Sequence, residues 1–227
     1  MSRSVLFDTE TTGLDPLTGD RVIEIAAIEL INDLPTAKQF YALLDPGRDI
    51  PSDSTRIHGI TNAHVEGKPG FAAIADAMLE FFGDAPLVAH NAPFDFNFID
   101  SELARIGKPA LGHHRMVDTL VLAKQRFPGM PNSLDALCRR FEIDLSARTT
   151  HNALLDCKLL AEVYVELTGG RQRGLVLETE QNLGFAVYTL EATRTPTPII
   201  PTPQTLEAHA AFIARLKDPI WTKENQE

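Results

Sequence analysis

The first third of the chain carries apolar runs of strand length, separated by turn-forming residues. Three segments are rich in β-branched and aromatic side chains: SVLFDTE from residue 4, RVIEIAAIELIN from residue 21 and QFYALLD from residue 39. The intervening stretches GLDPLTGD and NDLPTA are rich in glycine, proline and aspartate, which indicates turns. The pattern therefore predicts three consecutive β-strands at the start of the fold.

Beyond residue 70 the apolar positions mostly follow a helical period. Helices are predicted for FAAIADAMLEFFGD, PFDFNFIDSELARIG, TLVLAKQRF, SLDALCRRFEI and NALLDCKLLAEVYVELTGG. Pro93 suits the first turn of the second helix, and Gly169-Gly170 suit the end of the last one. Short strands are predicted for PLVAHN and for Met116–Asp118. Three strands followed by alternating helices and strands predict an α/β fold with a mixed sheet.

The composition changes after Gly170. Residues 193–203, TRTPTPIIPTP, contain four prolines and predict an extended, semi-rigid linker. The next segment, TLEAHAAFIARLKDPIW, has apolar residues at helical spacing and ends on Trp221. A single helix cannot bury its own apolar face, so we expect this one either to pack on the domain or to dock on a partner. We divide the chain into a domain at 1–170, a linker segment at 171–203 and a helical tail at 204–227.

Composition indicates a globular protein with few electrostatic attractions to nucleic acid. Of 227 residues 44% are apolar, and the only cysteines, Cys138 and Cys157, fall in helical patterns, which favours reduced buried thiols over a disulfide. We find no signal-peptide pattern or apolar run of membrane-spanning length, and therefore expect a cytosolic protein. The net charge of −10 argues against bulk electrostatic binding of DNA. Residues 105–148, with eight basic and four acidic side chains, could form a solvated face or a phosphate track.

Two acidic residues end the first predicted strand. Asp8 and Glu10 are two positions apart, so on a strand both side chains leave the same face. Carboxylates this close repel one another unless a cation lies between them, and hard divalent ions prefer such oxygens. The alternative is that the pair simply flanks a turn, and the two residues alone do not decide between these readings.

A third acid lies in HNAPFDFNF. Asp95 falls in the first turn of a predicted helix, where the helix dipole stabilises an acidic side chain even without any further role. Phe94, Phe96 and Phe98 are expected mainly in the core, although one aromatic side chain at the mouth of a site could stack on a base.

A histidine and a fourth acid lie in RTTHNALLDCKLLAEVY. His151 and Asp156 would be roughly 140° apart around a helix and would share no face. They can meet if His151 precedes the helix and Asp156 lies one turn inside it. The helix dipole there favours a neutral histidine, as a general base requires, although a capping or surface histidine is the simpler alternative. Asp156 adjoins a leucine-rich stripe and needs a cation or hydrogen-bond donors nearby.

Taken together, DTETTG, HNAPFD and HNALLD resemble the three motifs of the DEDDh, or DnaQ-like, superfamily of 3′–5′ exonucleases. VIEIAAIEL, IHGIT, FPGMPNSLDALCRRFEID and ALLDCKLLAEVYVELTGG further resemble the family of proofreading (epsilon) subunits of bacterial DNA polymerase III. The resemblance covers about residues 4–170 and implies a ribonuclease H-like fold, with a central mixed β-sheet flanked by helices.

The resemblance also implies the roles of individual residues. Asp8, Glu10, Asp95 and Asp156 would hold two divalent ions, Mg²⁺ or Mn²⁺, and His151 would be the general base. The substrate would be a single-stranded or frayed 3′ end of DNA, cleaved to nucleoside 5′-monophosphates. The residues implied to meet the terminal nucleotide, besides the acids Asp8, Glu10 and Asp156, are Thr11, Leu14, Asp53, His58, His90 and Phe94. Asp53 departs from the glutamate expected at its position.

The C-terminal third is implied to bind partners. Gln172, Leu175 and Leu177 fit the Gln-x-x-Leu/Met-x-Leu/Phe pattern of peptides that dock on the sliding clamp. The tail at 204–227 would tether the polymerase (alpha) subunit, and a small accessory subunit could also bind. Tethering in the bacterial replisome would raise the effective concentration of the exonuclease at the primer end, despite its acidic net charge. Two alternatives stay open: a stand-alone exonuclease that trims RNA 3′ ends, and a non-catalytic scaffold subunit.

Overall fold

The computed structural model describes residues 2–146, 148, 150–169 and 200–217. These residues fall into two compact units, one containing residues 2–169 and the other residues 200–217, and each is described by itself. The clamp-like residues Gln172, Leu175 and Leu177, most of the proline-rich linker and Trp221 lie outside the described residues.

The larger unit is built on a five-stranded mixed sheet. Its strands are β1 (Arg3–Thr11), β2 (Val22–Ile31), β3 (Leu34–Leu43), β4 (Leu87–Ala89) and β5 (Met116–Asp118). The spatial order is β3-β2-β1-β4-β5, with β1–β2 and β2–β3 antiparallel and β1–β4 and β4–β5 parallel. The α/β class and the mixed sheet predicted from the sequence are thus confirmed.

Seven helices of this unit are described. They are α1 (Ser52–His58), α2 (Asn62–Val65), α3 (Phe71–Phe82), α4 (Ala92–Arg105), α5 (Thr119–Arg126), α6 (Leu134–Arg140) and α7 (Ala153–Leu167). Short 3-10 turns occupy Pro16–Thr18 and His113–Arg115. Pro93 lies in the first turn of α4, as its fixed φ angle favours. The Ser133 hydroxyl caps α6, and the side chain of Asn152 caps α7 by accepting from the Leu155 N–H.

Strand β1 separates two hydrophobic clusters because its side chains alternate between the faces of the sheet. Val5 and Phe7 pack with α3 and α4, whereas Leu6 packs with residues of α5, α6 and α7. All three side chains are fully buried. The buried cysteines lie in the second cluster as free thiols, in agreement with the expectation of reduced thiols.

Two features differ from the sequence-based expectation. The turn between β2 and β3 needs only Asn32 and Asp33, whose φ angles of 52° and 65° are those of a two-residue hairpin, so β3 already begins at Leu34. The assignment of NDLPTA to the turn region between the strands was wrong for its last four residues. In addition, α1 and α2, which are only 7 and 4 residues long, were not predicted.

The smaller unit contains α8 (Pro203–Ile213), which begins after the Thr202 cap. The linker boundary predicted at residue 203 therefore falls at the first residue of a helix. Leu206 and Phe212 on α8 are more than half exposed. Among the described residues, no helix is long and apolar enough to cross a membrane.

Candidate active site

Asp8 and Glu10 lie on the face of β1 that α7 covers. They follow Leu6 at two-residue intervals, and Leu6 packs in the same cluster as Ala153 and Cys157 of α7. Glu10 is 8% exposed, whereas Asp8 is partly exposed at the edge of a cleft of about 580 Å³. Both acids therefore lie on one face of the strand, as predicted from the sequence.

Asp156 and His151 reach this face from the start of α7. Asp156 lies in the first helical turn and is 4% exposed, while His151 precedes the Asn152 cap and lies in the loop. The His151 N–H donates to the Ile57 carbonyl at 3.1 Å, which ties this loop to α1. His151 Nδ1 lies 3.3 Å from Asp156 Oδ2. The two side chains meet in the arrangement predicted from their spacing, with the histidine outside the helix.

Asp95 approaches from the opposite face of the sheet. It lies in the first turn of α4 and is 3% exposed. Its Oδ1 accepts both the N–H of Thr9 at 3.0 Å and the Thr9 hydroxyl at 2.7 Å. Because both bonds go to one oxygen, the second carboxylate oxygen is not used in this contact. Thr9, between Asp8 and Glu10, thus anchors the third acid beside the first two.

Burial and mutual repulsion act on the carboxyl groups of Asp8, Glu10 and Asp95. Burial raises the pKa of Asp8 well above its usual value, and the charges of Asp95, Glu10 and Asp156 raise it further. Burial, followed by the charges of Asp156 and Glu24, raises the pKa of Glu10 to about 8. Burial likewise raises the pKa of Asp95 to about 7, although its bonds from Thr9 oppose the shift. Without a counter-ion, ionisation of Asp8, Glu10 and Asp95 is therefore disfavoured, and a bound cation would favour it.

Arg148 is the cation closest to the acids in the described part of the chain. Its guanidinium makes a two-bond fork to Asp156, with Nε to Oδ1 at 2.6 Å and Nη2 to Oδ2 at 2.7 Å. Burial raises the pKa of Asp156, but the two bonds from Arg148, with His151 nearby, outweigh it and leave that pKa below its usual value. The sequence analysis counted Arg148 only as part of a basic segment. Its position three residues before His151 was the one signal that could have singled it out.

The donor groups fit divalent metal ions. Ligand atoms of Glu10, His151 and Asp156 all lie within 4.8 Å of one another, and Asp8 adds a fourth side chain on the same strand face. Carboxylate oxygens are the donors that Mg²⁺ and Mn²⁺ prefer, and mutual repulsion among partly buried acids is relieved when such ions bind. The residues present are therefore suited to a metal centre.

Glu24 was not anticipated and supports the site from β2. It pairs with Glu10 in the antiparallel register and is 1% exposed. Its carboxylate accepts the N–H of Ala153 at 2.8 Å, Nδ2 of Asn152 at 3.0 Å and the Tyr41 hydroxyl at 2.7 Å. A glutamate inside an apolar strand could have suggested such a role, but its partners are distant in sequence.

The loop after β1 presents an apolar side chain to solvent. The Thr11 hydroxyl donates to the Gly13 carbonyl at 2.6 Å, and Leu14 that follows is 82% exposed. Asp20 holds the loop from below by accepting from the Thr12 hydroxyl at 3.2 Å, and a side chain at position 13 would collide with it. Leu14 is therefore displayed by a well-supported loop.

Both histidines predicted to contact the nucleotide lie near other residues of the site, His58 near His151 and His90 in the cleft. His58 at the end of α1 is 5% exposed, and its Nε2 finds no hydrogen-bond partner among the residues described. Burial lowers the pKa of His58, and nearby His151 lowers it further. His90 lines the cleft together with Asp8 and Asp156, and its Nδ1 lies 2.9 Å from the Thr119 hydroxyl.

The remaining two residues are placed differently. Phe94 is half-buried and packs on Phe98 with ring centroids 4.9 Å apart, whereas Phe96 and Phe98 are buried in the core. Asp53 lies on α1 with its side chain 80% exposed and pairs with Arg56 at 3.0 Å. The structure does not bring the Asp53 carboxylate into the acidic cluster.

Comparison with known sequences places these features in a family context. The Exonuclease family model matches residues 5–164. The chain is 43% identical over 221 residues to a DNA polymerase III subunit epsilon of Rickettsia felis, covering 94% of this chain and 96% of that protein. It is 39% identical over 196 residues to the corresponding subunit of Escherichia coli, covering 82% of this chain and 81% of that one.

Solved structures show similar folds. Exonuclease X in complex with 5′ overhanging duplex DNA matches with a TM-score of 0.58 at 28% identity, covering 74% of this chain and 92% of that one. The zinc-ion-bound E. coli ExoI–ssDNA complex matches with a TM-score of 0.65 at 21% identity, covering 76% of this chain and 41% of that one. The second likeness concerns the fold alone.

Proposed function

The chain belongs to the Exonuclease family, and on that premise we propose that it is the proofreading 3′–5′ exonuclease subunit of a replicative DNA polymerase. In this role it removes mismatched nucleotides from single-stranded or frayed 3′ ends of DNA and releases nucleoside 5′-monophosphates. The observation that carries the proposal is the convergence of Asp8, Glu10, Asp95 and Asp156 with His151 from separate parts of the chain.

Two divalent ions, Mg²⁺ or Mn²⁺, would be held by the four acids. When bound, such ions lower the pKa of water and neutralise charge on a phosphodiester. The raised pKa values of Glu10 and Asp95 support this assignment, since partly buried acids without a counter-ion are costly to ionise. The four acids therefore act mainly as a rigid set of ligands whose charge is neutralised when the cations bind.

His151 would act as the general base. Its side chain is about half exposed and lies outside the first turn of α7, so the ring is accessible to a water molecule in the cleft. A ring nitrogen of His151 takes a proton as the water oxygen attacks phosphorus. The bond between phosphorus and the 3′-oxygen breaks, and that oxygen takes up a proton from solvent.

The terminal nucleotide would be held by groups around the cleft. We assign Thr11 and Leu14 to the sugar and base of the last nucleotide, His58 and His90 to the nucleotide pocket, and Phe94 to the mouth. Asp53 lies on the exposed side of α1, and we propose that it contacts the nucleotide from that side.

The partners would be brought by residues beyond the nuclease domain at 1–170. We propose that Gln172, Leu175 and Leu177 within 171–203 bind the sliding clamp, and that residues 204–227 bind the polymerase (alpha) subunit in the cytoplasm. A small accessory subunit is a further proposed partner. Because tethering raises the local concentration of the primer end, a chain with a net charge of −10 needs no strong DNA affinity of its own.

The decisive experiment compares excision of a 3′-terminal mismatch with and without the polymerase subunit. We expect metal-dependent release of mononucleotides, abolished by EDTA and by Asp8→Ala, and faster excision when the polymerase is present. Faster cleavage of a matched RNA oligonucleotide than of DNA would instead favour the RNA-trimming alternative. If the chain has no nuclease activity of its own but still stimulates the polymerase, the scaffold alternative would be favoured.

A further inference from the structure

The guanidinium of Arg148 is almost fully engaged inside the acidic site. Besides the two bonds to Asp156, its Nη1 bonds to Asp135, and its Nη2 lies 3.0 Å from Nδ1 of His151. The side chain is 9% exposed. An arginine fork of this kind fixes a carboxylate with defined geometry, which a lysine ammonium does not reproduce.

The contact with His151 limits where the imidazole proton can be. Guanidinium N–H groups only donate, so Nδ1 of His151 must accept from Arg148, and a neutral ring then carries its proton on Nε2. In that tautomer neither ring nitrogen is available to take a proton from water. Nδ1 also lies 3.3 Å from Asp156 Oδ2, so the carboxylate can accept an Nδ1 proton once the guanidinium has left. Nε2 would then be a free acceptor.

We propose that Arg148 is a positioning residue that acts as an internal counter-ion: it holds Asp156 and His151 in the metal-free chain and is displaced from both when divalent ions bind. The inference rests on the proposed metal-dependent nuclease. Displacement of Arg148 thereby makes the Asp156 oxygens available to the ions and permits the His151 tautomer that a general base requires.

Competition for one carboxylate is the physical basis of the displacement. A bidentate guanidinium and a divalent ion bound to Asp156 would repel each other at short distance in a partly buried site, where charges are weakly screened. Asp135, which is 39% exposed at the wall of the cleft, already bonds to the same guanidinium. It gives Arg148 a second anchor, so the side chain can leave Asp156 without losing every ionic partner.

The first test measures Mn²⁺ binding to the full chain by electron paramagnetic resonance, without substrate. Arg148→Met removes the competing cation, and we expect at least about tenfold tighter binding of the first Mn²⁺, the low end of couplings between close charges. Arg139→Met, at an exposed position on α6, makes the same change in net charge and should leave the affinity unchanged. Unchanged or weaker Mn²⁺ binding by Arg148→Met would overturn the inference.

A milder variant guards against a folding defect in Arg148→Met. Asp135→Asn keeps Arg148 and all four acids but removes the negative charge of the second anchor. Because the guanidinium would then have no second anionic partner when it leaves Asp156, we expect weaker Mn²⁺ binding than in the wild type. An Asp135→Asn variant that binds Mn²⁺ as tightly as the wild type would contradict the proposed route of displacement.

The second readout is the tautomer of His151, observed by ¹⁵N NMR. In the wild type we expect the Nε2–H form without metal and the Nδ1–H form with Mg²⁺, whereas Arg148→Met should show the Nδ1–H form without metal. An Nδ1–H form in the metal-free wild type would overturn the inference. A wild-type chain that binds no Mn²⁺ would instead refute the metal-dependent function itself, so the two failures are distinguishable.

Discussion

The buried carboxylate of Glu24 accepts a hydrogen bond from the backbone N–H of Ala153, at a distance of 2.8 Å. This bond joins β2 to the first turn of α7, the turn that carries Asp156. Glu24 also lies opposite Glu10 in the strand pairing. The start of α7 is therefore fixed relative to the strand acids by a glutamate that is not one of the four proposed metal-binding acids.

Replacing this anchor should impair both folding and catalysis. Glu24→Ala leaves the Ala153 N–H and the Asn152 amide without their acceptor, which costs about 1–3 kcal/mol in the free energy of unfolding. Misplacement of Asp156 should lower kcat more than it changes KM. Urea denaturation and steady-state excision of single-stranded DNA measure the two effects.

Glu29→Ala is the matched control for Glu24→Ala. Glu29 is a second buried glutamate of β2, but it bonds to Arg3 and Thr36, away from the cleft. We expect a comparable loss of stability with kcat retained in the folded fraction. Equal losses of kcat in both variants would mean that Glu24 matters only for stability.

Removing one acid should separate stability from activity. Asp8→Asn takes away a carboxyl whose pKa is raised by burial and by the neighbouring acids, so the metal-free protein should melt at a higher temperature than the wild type. Activity should fall at least about a hundredfold because a proposed metal ligand is lost. Calorimetry in EDTA and a nuclease assay check both parts, and a lower melting temperature in EDTA would contradict the electrostatic argument.

Metal binding should strengthen with pH. Folding raises the pKa of Glu10 from 4.5 to about 8, so the metal-free folded state holds this proton more tightly than the unfolded chain. The resulting stability is complete below pH 4.5 and is lost as the pH rises through about 8. Metal ions need the ionised carboxylate, so the increase in melting temperature caused by Mn²⁺ should be larger near the upper end of this range. A metal effect that does not change with pH would contradict the assignment of Glu10 as a ligand.

Leu14 should matter most for paired 3′ ends. Its exposed side chain costs nothing to replace in the free protein, so Leu14→Ser should leave the melting temperature unchanged. If the side chain is buried against a base, kcat/KM should fall about tenfold on a paired end and less on single-stranded DNA. Leu17→Ser, at a 91% exposed position in the same loop, is the control and should behave as the wild type.

The sequence alone predicted those elements whose signals are local. The strand ending in Asp8 and Glu10, Pro93 in the first turn of α4 and the position of His151 just before α7 all follow from spacing and capping chemistry over a few residues. Helices α1 and α2 were missed because they are too short for a periodic signal and are held by contacts to distant segments, such as the bond from the His151 N–H to Ile57.

Parts of the site that depend on distant pairs could not be foreseen. Glu24 and Ala153 are 129 residues apart, and the pairing of Arg148 with Asp156 requires the loop before α7 to fold back on the helix. Conversely, the motif match that singled out Asp53 says nothing of its exposure, and its carboxylate pairs with Arg56 rather than with the acids. Motifs identify residue types, whereas the partners of a buried charge emerge only from packing.

The odd-numbered and the even-numbered residues of strand β1 form two sets of side chains, one on each face of the sheet. Val5, Phe7 and the Asp95 anchor Thr9 alternate with Leu6, Asp8 and Glu10. A single-residue insertion or deletion within the strand would therefore exchange the two faces. Both carboxylates would then point toward the phenylalanine-rich core. A substitution changes a side chain on one face only, whereas a change of length there would misplace the side chains of both faces at once.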